Sequence, residues 1–213
     1  MARIVVGVSG ASGIILAKHA VNALANADYD VDLVLSKPAL LTASIELGAS
    51  FGTLSGFVSH FNEDVQKKLT IHRIGNFSAT IASGSYHTDG MLIIPCSMGT
   101  LAGIALGLCD NLIKRSADVT LKERRRLVIV PRESPLSEIH LEHMLKLTRM
   151  GAVMIPPVPG WYTHHRTLLD VEKFIVGKAL DLLDVKHDLY TRWDKDSVTH
   201  VEPFANIIAL ASS

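Results

Sequence analysis

The chain has 213 residues, 48% of them hydrophobic and 20% charged, which suits one folded domain and excludes a disordered or low-complexity protein. Lys and Arg together number 21, as do Asp and Glu, so the formal charge is zero and no basic surplus is available to neutralise a nucleic-acid backbone. A mean hydropathy of +0.27 is high for a lone subunit, yet the apolar runs are broken by Gly and Pro, so a homo-oligomer is expected rather than a membrane span of ~18 or more apolar residues.

In chain order, Ile4-Val5-Val6-Gly7-Val8 reads as a strand closed by the turn Ser9-Gly10-Ala11-Ser12-Gly13. Ile14, Ala17, Val21 and Leu24 then recur at helical spacing. A second strand, Val31 to Leu35, leads to Ser36. The stretch from Phe51 to Gly84 is less regular and rich in Ser, Asn, His and Gly, and is expected to hold a helix or two. Further strands are predicted at Met91–Ile94, Leu127–Val130 and Ala152–Ile155, with a helix within Asp110–Arg124. Pro156-Pro157-Val158-Pro159-Gly160-Trp161-Tyr162 is a rigid loop, because each proline fixes its own φ and restrains the residue before it. Helical periodicity resumes at Val171, Phe174, Ile175 and Leu182, and Thr167 with Asp170 forms a possible capping box. The end, from Asp184, is a polar tail carrying Trp193. Near-continuous apolar strands alternating with helices predict a doubly wound parallel α/β sheet, one domain over 1–185 with a tail over 186–213.

In such a sheet the ligand crevice lies at the carboxyl ends of the strands. Gly10 to Gly13 offers backbone N–H groups and a hydroxyl where a helix begins, suited to a phosphate or a flavin edge, or equally to close helix–strand packing. The spacing Gly7-x-x-Gly10-x-x-Gly13 is not the dinucleotide fingerprint, and Ser36 stands where an acidic residue would end the second strand. Pro95-Cys96-Ser97-Met98-Gly99-Thr100 repeats the arrangement, and two such turns favour a mononucleotide. Cys96 reads as a small buried hydrophobe, since no base is marked beside it, and Cys109 is treated likewise. Two cysteines are too few for a disulfide framework, which suits a reducing compartment. Gly and Ser interrupt the apolar run of residues 1–13, so no signal peptide is expected and the cytoplasm is the expected location.

Arg115 and Lys122, seven apart, share one helix face, where a solvated role is the ordinary reading. Arg132-Glu133 is different, because it ends an apolar strand and so points into the crevice. Lys178 falls within the apolar stripe of its helix, where a lysine must snorkel or meet an anion. Glu46 between Ile45 and Leu47 reads as a helix-surface carboxylate. His140 and His143 lack a metal-site pattern, and no metal is expected.

These motifs resemble one family over nearly the whole chain, the UbiX-type flavin prenyltransferases. The likeness rests on Gly10-Ala11-Ser12-Gly13, Ser36-Lys37, Ala82-Ser83-Gly84-Ser85, Pro95-Cys96-Ser97-Met98, Ala117-Asp118-Val119, Leu121-Lys122-Glu123, Val130-Pro131-Arg132-Glu133, Ile139-His140-Leu141-Glu142 and Pro156 to Pro159 followed by Tyr162. The resemblance implies a flavodoxin-like fold and an enzyme that joins the dimethylallyl group of dimethylallyl phosphate to N5 and C6 of reduced FMN. It further implies a homododecamer with sites between subunits, and prenylated FMN passed to a UbiD-type decarboxylase. Carried over by position, Gly10, Ala11, Ser12, Ser36, Ser97, Met98, Gly99, Thr100 and Arg132 would hold FMN. Arg115, Lys122, Tyr162 and Lys178 would hold the donor phosphate, Lys178 replacing the family's usual arginine without its bidentate fork. Ser12, Glu46, Glu133 and Trp193 would be catalytic. The alternative within the superfamily is an FMN-dependent cysteine-type decarboxylase, whose Pro-Ala-Ser-Ala-Asn-Thr and Pro-x-Met-Asn motifs are replaced here. A non-enzymatic flavin-binding subunit would leave Glu46, Glu133 and the cations without a role.

Overall fold

The computed structural model describes residues 2–163 and 165–193. Among them, β1 (Arg3–Val8), β2 (Asp30–Leu35), β3 (Leu69–Arg73), β4 (Gly90–Cys96), β5 (Arg126–Pro131) and β6 (Val153–Met154) form one sheet in the order β3-β2-β1-β4-β5-β6. Every neighbouring pair is parallel. The five strands β2-β1-β4-β5-β6 follow the flavodoxin order, and β3 extends the β2 edge. Successive strand side chains point to opposite faces. Ile4, Val6, Val8, Leu92, Ile94, Val128 and Val130 therefore enter one apolar cluster, with α1 (Ile14–Asn26) and α8 (Leu168–Asp181). Val5, Met91, Ile93, Leu127 and Ile129 enter the other, with α5 (Met98–Ala105), α6 (Leu112–Lys122) and α7 (Glu138–Arg149). Burial on both faces is why the central strands carry apolar residues without alternation.

The remaining helices, α2 (Lys37–Glu46), α3 (Leu54–Ser59) and α4 (Glu63–Lys67), link β2 to β3. The region 51–84, expected to hold one or two helices, thus also contains the strand β3. Its residues Leu-Thr-Ile-His-Arg mix polar with apolar side chains, with Thr70 and Arg73 exposed and His72 buried, and pair with β2 only, so it lacks the apolar run that marks the interior strands. The other edge strand is shorter than Ala152–Ile155, although the Ile155 N–H still donates to the Ile129 carbonyl at 2.9 Å. One charge lies inside the sheet. The fully buried Asp32 accepts from His72 Nε2 (2.6 Å), the Tyr86 hydroxyl (3.2 Å) and the Arg3 guanidinium (3.3 Å), the pairing that a buried carboxylate requires.

The expected capping box opens α8: Thr167 Oγ1 accepts from the Asp170 N–H at 3.2 Å, and Asp170 Oδ2 accepts from the Thr167 N–H at 2.9 Å. Beyond α8, residues up to Trp193 return past Gly177 and Phe174, so this part of the polar tail is packed. Its remainder, 194–213, lies outside the described residues.

Candidate active site

The sheet order reverses between β1 and β4, which opens the crevice at their carboxyl ends. Ser9, fully buried, ties the two flanking turns together. Its Oγ accepts from the Ser97 N–H at 2.7 Å and donates to the Pro95 carbonyl at 3.3 Å. Gly10 lies against α2 so closely that a Cβ would stand 2.3 Å from the Pro38 Cβ, and only glycine lets the turn approach. Ser36 caps α2, accepting from the Ala39 N–H at 3.1 Å, while Ser97 caps α5, accepting from the Thr100 N–H at 3.4 Å and donating to Thr100 Oγ1 at 3.1 Å. The Arg132 N–H donates to the Cys96 carbonyl at 3.0 Å. Gly10, Ala11, Ser12, Ser36, Ser97, Met98, Gly99, Thr100 and Arg132 accordingly come to one end of the sheet.

Glu46, the last residue of α2, reaches back across 33 residues to the start of α1. Its carboxylate accepts from the Gly13 N–H at 3.1 Å and the Ile14 N–H at 2.9 Å. Gly13 has φ +96°, a left-handed conformation that L side chains rarely adopt. A carboxylate at a helix N-terminus is favoured by the helix dipole. The N–H groups at the start of α1 thus face a carboxylate of the same chain, and the hydroxyls of Ser12, Ser36 and Ser97 are what the crevice adds.

Arg132 and Glu133 follow β5. Arg132 Nε is buried and has no hydrogen-bond partner among the described residues, which leaves it free to donate to an acceptor brought into the crevice. Glu133 Oε1 stands 4.0 Å from Arg132 Nη1 and accepts from the Ser134 N–H at 3.1 Å, so the carboxylate beside the guanidinium is only loosely paired. Cys96 is fully buried, and burial pushes its thiol up to about 12, which agrees with an inert packing residue.

The cations divide between the two faces of the sheet. On α6, Arg115 Nε donates to the Ala82 carbonyl at 3.1 Å and its Nη1 to Asp118 at 2.8 Å, and Lys122 pairs with Glu123. On the opposite face, Lys178 of α8 lines a cavity of about 210 Å³ with Pro156, Val158, Phe174 and Ile175. Among the described residues it makes no ion pair. Tyr162 meets Phe174 edge-on with ring centroids 6.0 Å apart, and Trp193 meets Tyr162 edge-on at 5.1 Å. One chain therefore brings Lys178, Tyr162 and Trp193 together and keeps Arg115 and Lys122 on the other face. Four further residues take part whose contacts the sequence motifs did not assign: Ser9, Asp118, Glu123 and Asp181. Asp118 and Glu123 are neighbours of the basic residues they hold, so spacing carried that signal; Ser9 and Asp181 carried none.

A doubly wound parallel sheet with hydroxyl-capped helix starts at the reversal of its strand order has the architecture of the nucleotide-binding α/β proteins. The Flavoprotein family profile matches residues 1–180. Flavin prenyltransferase UbiX of Alkalihalophilus pseudofirmus is 47% identical over 188 residues, 88% of this chain and 94% of that one. The chain belongs to the UbiX-type flavin prenyltransferases. Among solved structures, AnUbiX in complex with FMN and dimethylallyl pyrophosphate has a TM-score of 0.81 and 43% identity, covering 91% of this chain and 97% of that one. A dodecameric FMN-dependent UbiX-like decarboxylase from Escherichia coli O157:H7 has a TM-score of 0.79 and 43% identity, covering 90% and 99%. A PPC decarboxylase mutant is 21% identical with a TM-score of 0.55, covering 74% of this chain and 83% of that one, a likeness of fold alone.

Proposed function

We propose that this protein is a metal-independent flavin prenyltransferase that joins the dimethylallyl group of dimethylallyl phosphate to reduced FMN. The observation that carries the reading is Lys178, a cation lining an otherwise apolar cavity beside Tyr162 and Trp193. An allylic phosphate has those two parts, an apolar tail and an anion.

The crevice residues fit FMN. Gly10, Ala11, Ser12, Ser36, Ser97, Met98, Gly99 and Thr100 line it with hydroxyls and backbone groups, and the unpartnered Arg132 Nε supplies a donor. When bound, reduced FMN supplies N5 and C6 as the two positions that take the ends of the allyl group. Arg115, Lys122, Tyr162 and Lys178 neutralise the charge that develops on the departing phosphate, which lowers the barrier more than it strengthens ground-state binding. Glu133 carries a proton toward that phosphate, with Arg132 beside it. Glu46 accepts protons through the lone pairs left after Gly13 and Ile14 take theirs, and Ser12 orients the group it serves. Trp193 gives the allylic cation a π face and helps to exclude water; the rest of the tail expected to close the site, 194–213, lies outside the described residues.

The separation of Arg115 and Lys122 from Lys178 supports a homo-oligomer in which α6 of one subunit completes the site of another, and the dodecamer reported for the UbiX-like Escherichia coli protein supports twelve subunits. The product is read as passing to a UbiD-type decarboxylase. Two free thiols, Cys96 and Cys109, support a cytoplasmic location. Among the described residues no helix is long and apolar enough to cross a membrane. The test is to incubate purified protein with reduced FMN and dimethylallyl phosphate and to weigh the flavin by mass spectrometry. A mass increase matching one dimethylallyl group is expected, and an unchanged flavin mass refutes the reading.

A further inference from the structure

Three donors converge on one carboxylate at the end of α8. Asp181 accepts from the Tyr190 hydroxyl at 2.5 Å, from Arg192 Nη2 at 2.7 Å and from His187 Nε2 at 3.0 Å. The fit of the returning segment is close, because a Cβ on Gly177 would lie 2.6 Å from Tyr190 Cδ1 and 2.9 Å from His187 Cε1. Tyr190 then packs edge-on against Phe174 at 5.1 Å, and Phe174 forms part of the wall of the cavity that holds Lys178. Leu189, Tyr190 and Thr191 share a smaller cavity with Thr163 and His165, beside the 3-10 turn Trp161–Thr163 that carries Tyr162. The segment ends with Trp193 against Tyr162. Lys178 and Asp181 are three apart on one helix, so the helix that presents the cation also anchors the segment that shapes its surroundings.

We propose that Asp181 is a positioning residue for the prenyl donor: by clamping His187, Tyr190 and Arg192 it holds the segment 187–193, and so sets Tyr162, Phe174 and Trp193 around Lys178. The inference rests on the reading of that cavity as the donor site. Burial works against the Asp181 carboxylate, but the hydrogen bonds from Arg192 and Tyr190 and the charges of Arg192 and His187 outweigh it and hold the group below the usual carboxylate range. An ionised, triply bonded anchor follows.

The test compares Asp181→Ala, Arg192→Met and Arg192→Lys, each in a Trp161→Phe background so that Trp193 is the single tryptophan. Arg192 is half exposed, with 56% of its side chain accessible, so its replacement removes a clamp donor without endangering the fold. Binding of dimethylallyl phosphate to protein loaded with oxidised FMN, where no turnover occurs, is measured by calorimetry, alongside FMN affinity, melting temperature and Trp193 fluorescence anisotropy. Asp181→Ala and Arg192→Met should weaken donor binding about 10-fold and lower the anisotropy, with FMN affinity kept within about 2-fold, and Arg192→Lys should restore part of both. Wild-type donor binding and anisotropy in Arg192→Met overturn the proposal. So does a loss in Asp181→Ala that falls equally on FMN and donor, since that marks a general effect on folding. Wild-type protein that binds the donor yet forms no prenylated flavin refutes the transferase reading and leaves the clamp standing; wild-type protein that does not bind the donor overturns both.

Discussion

Glu133 stands 4.0 Å from Arg132 Nη1 and 39% of its side chain is accessible, so the pair contributes little to stability and the carboxylate remains available to a ligand. Glu133→Gln keeps the shape and hydrogen-bonding size but cannot carry the proton. FMN and donor binding should survive while prenyl transfer slows by roughly 10²-fold or more. Single-turnover flavin spectra beside a melting curve check this; a wild-type rate with a lowered melting temperature removes Glu133 from the mechanism. Cys96 makes the opposite case. Its thiol sits where a nucleophile could be imagined, but burial pushes it up to about 12, and the thiolate is the reactive form. An alkylating reagent at pH 8 should leave Cys96 untouched in native protein and modify it after denaturation, as read by peptide mass.

Two elements owe their ends to residues distant in sequence. The start of α1 is capped by Glu46, which supplies what Gly13 lacks, a side-chain acceptor for the first N–H groups. Glu46→Ala should therefore cost about 1 kcal/mol, as a lost cap does, roughly 2–4 °C in melting temperature. Glu46→Gln retains an acceptor and should cost less, while both variants lose the proton acceptor and slow prenyl transfer. The end of α8 is anchored through Tyr190, whose hydroxyl is pushed up to about 12 by burial and then by the hydrogen bond and charge of Asp181. A tyrosine raised on folding contributes fully below its unfolded value near about 10 and loses that contribution as pH rises through its folded value. Trp193 anisotropy in single-tryptophan protein should accordingly hold below pH 10 and fall as pH approaches about 12.

At the scale of the whole molecule, the sheet separates Arg115 and Lys122 from Lys178 and Tyr162, while Ile45, Ile139, Leu141 and Leu145 stand exposed on helix surfaces. Exposed apolar side chains on the helices of both faces are what association of subunits would cover. Light scattering at dilute concentration should give a mass far above 23.1 kDa. If each site takes its α6 half from one subunit and its α8 half from another, Arg115→Ala and Lys178→Met homo-oligomers should each be nearly inactive. Co-assembled in equal amounts, they should regain up to roughly a quarter of wild-type sites. A site built within one chain regains none. A stable, fully active monomer contradicts the shared site.

The interior strands β1, β2, β4 and β5 were legible because burial on both faces leaves a near-continuous apolar run, interrupted in β2 by Asp32, a pattern that is local in sequence and independent of the partner strand. The capping box of Thr167 and Asp170 was legible for the same reason, since donor and acceptor lie three residues apart. The crevice residues followed once the sheet was recognised as parallel, because the carboxyl ends of such strands must gather at one edge. β3 was not legible: a partly exposed edge strand with one neighbour has neither a continuous apolar run nor a required composition. Glu46 at the start of α1, Ser9 between the two turns, and the division of the cations between the faces were decided by the tertiary structure alone. Hydrogen bonds such as that of Ser9 to Ser97 span 88 residues, and periodicity constrains which face a residue occupies but not which distant group meets it there. Asp181 is the plainest instance, since by sequence it is one more acidic residue at a helix end, and only the return of the chain past Gly177 brings His187, Tyr190 and Arg192 onto its carboxylate.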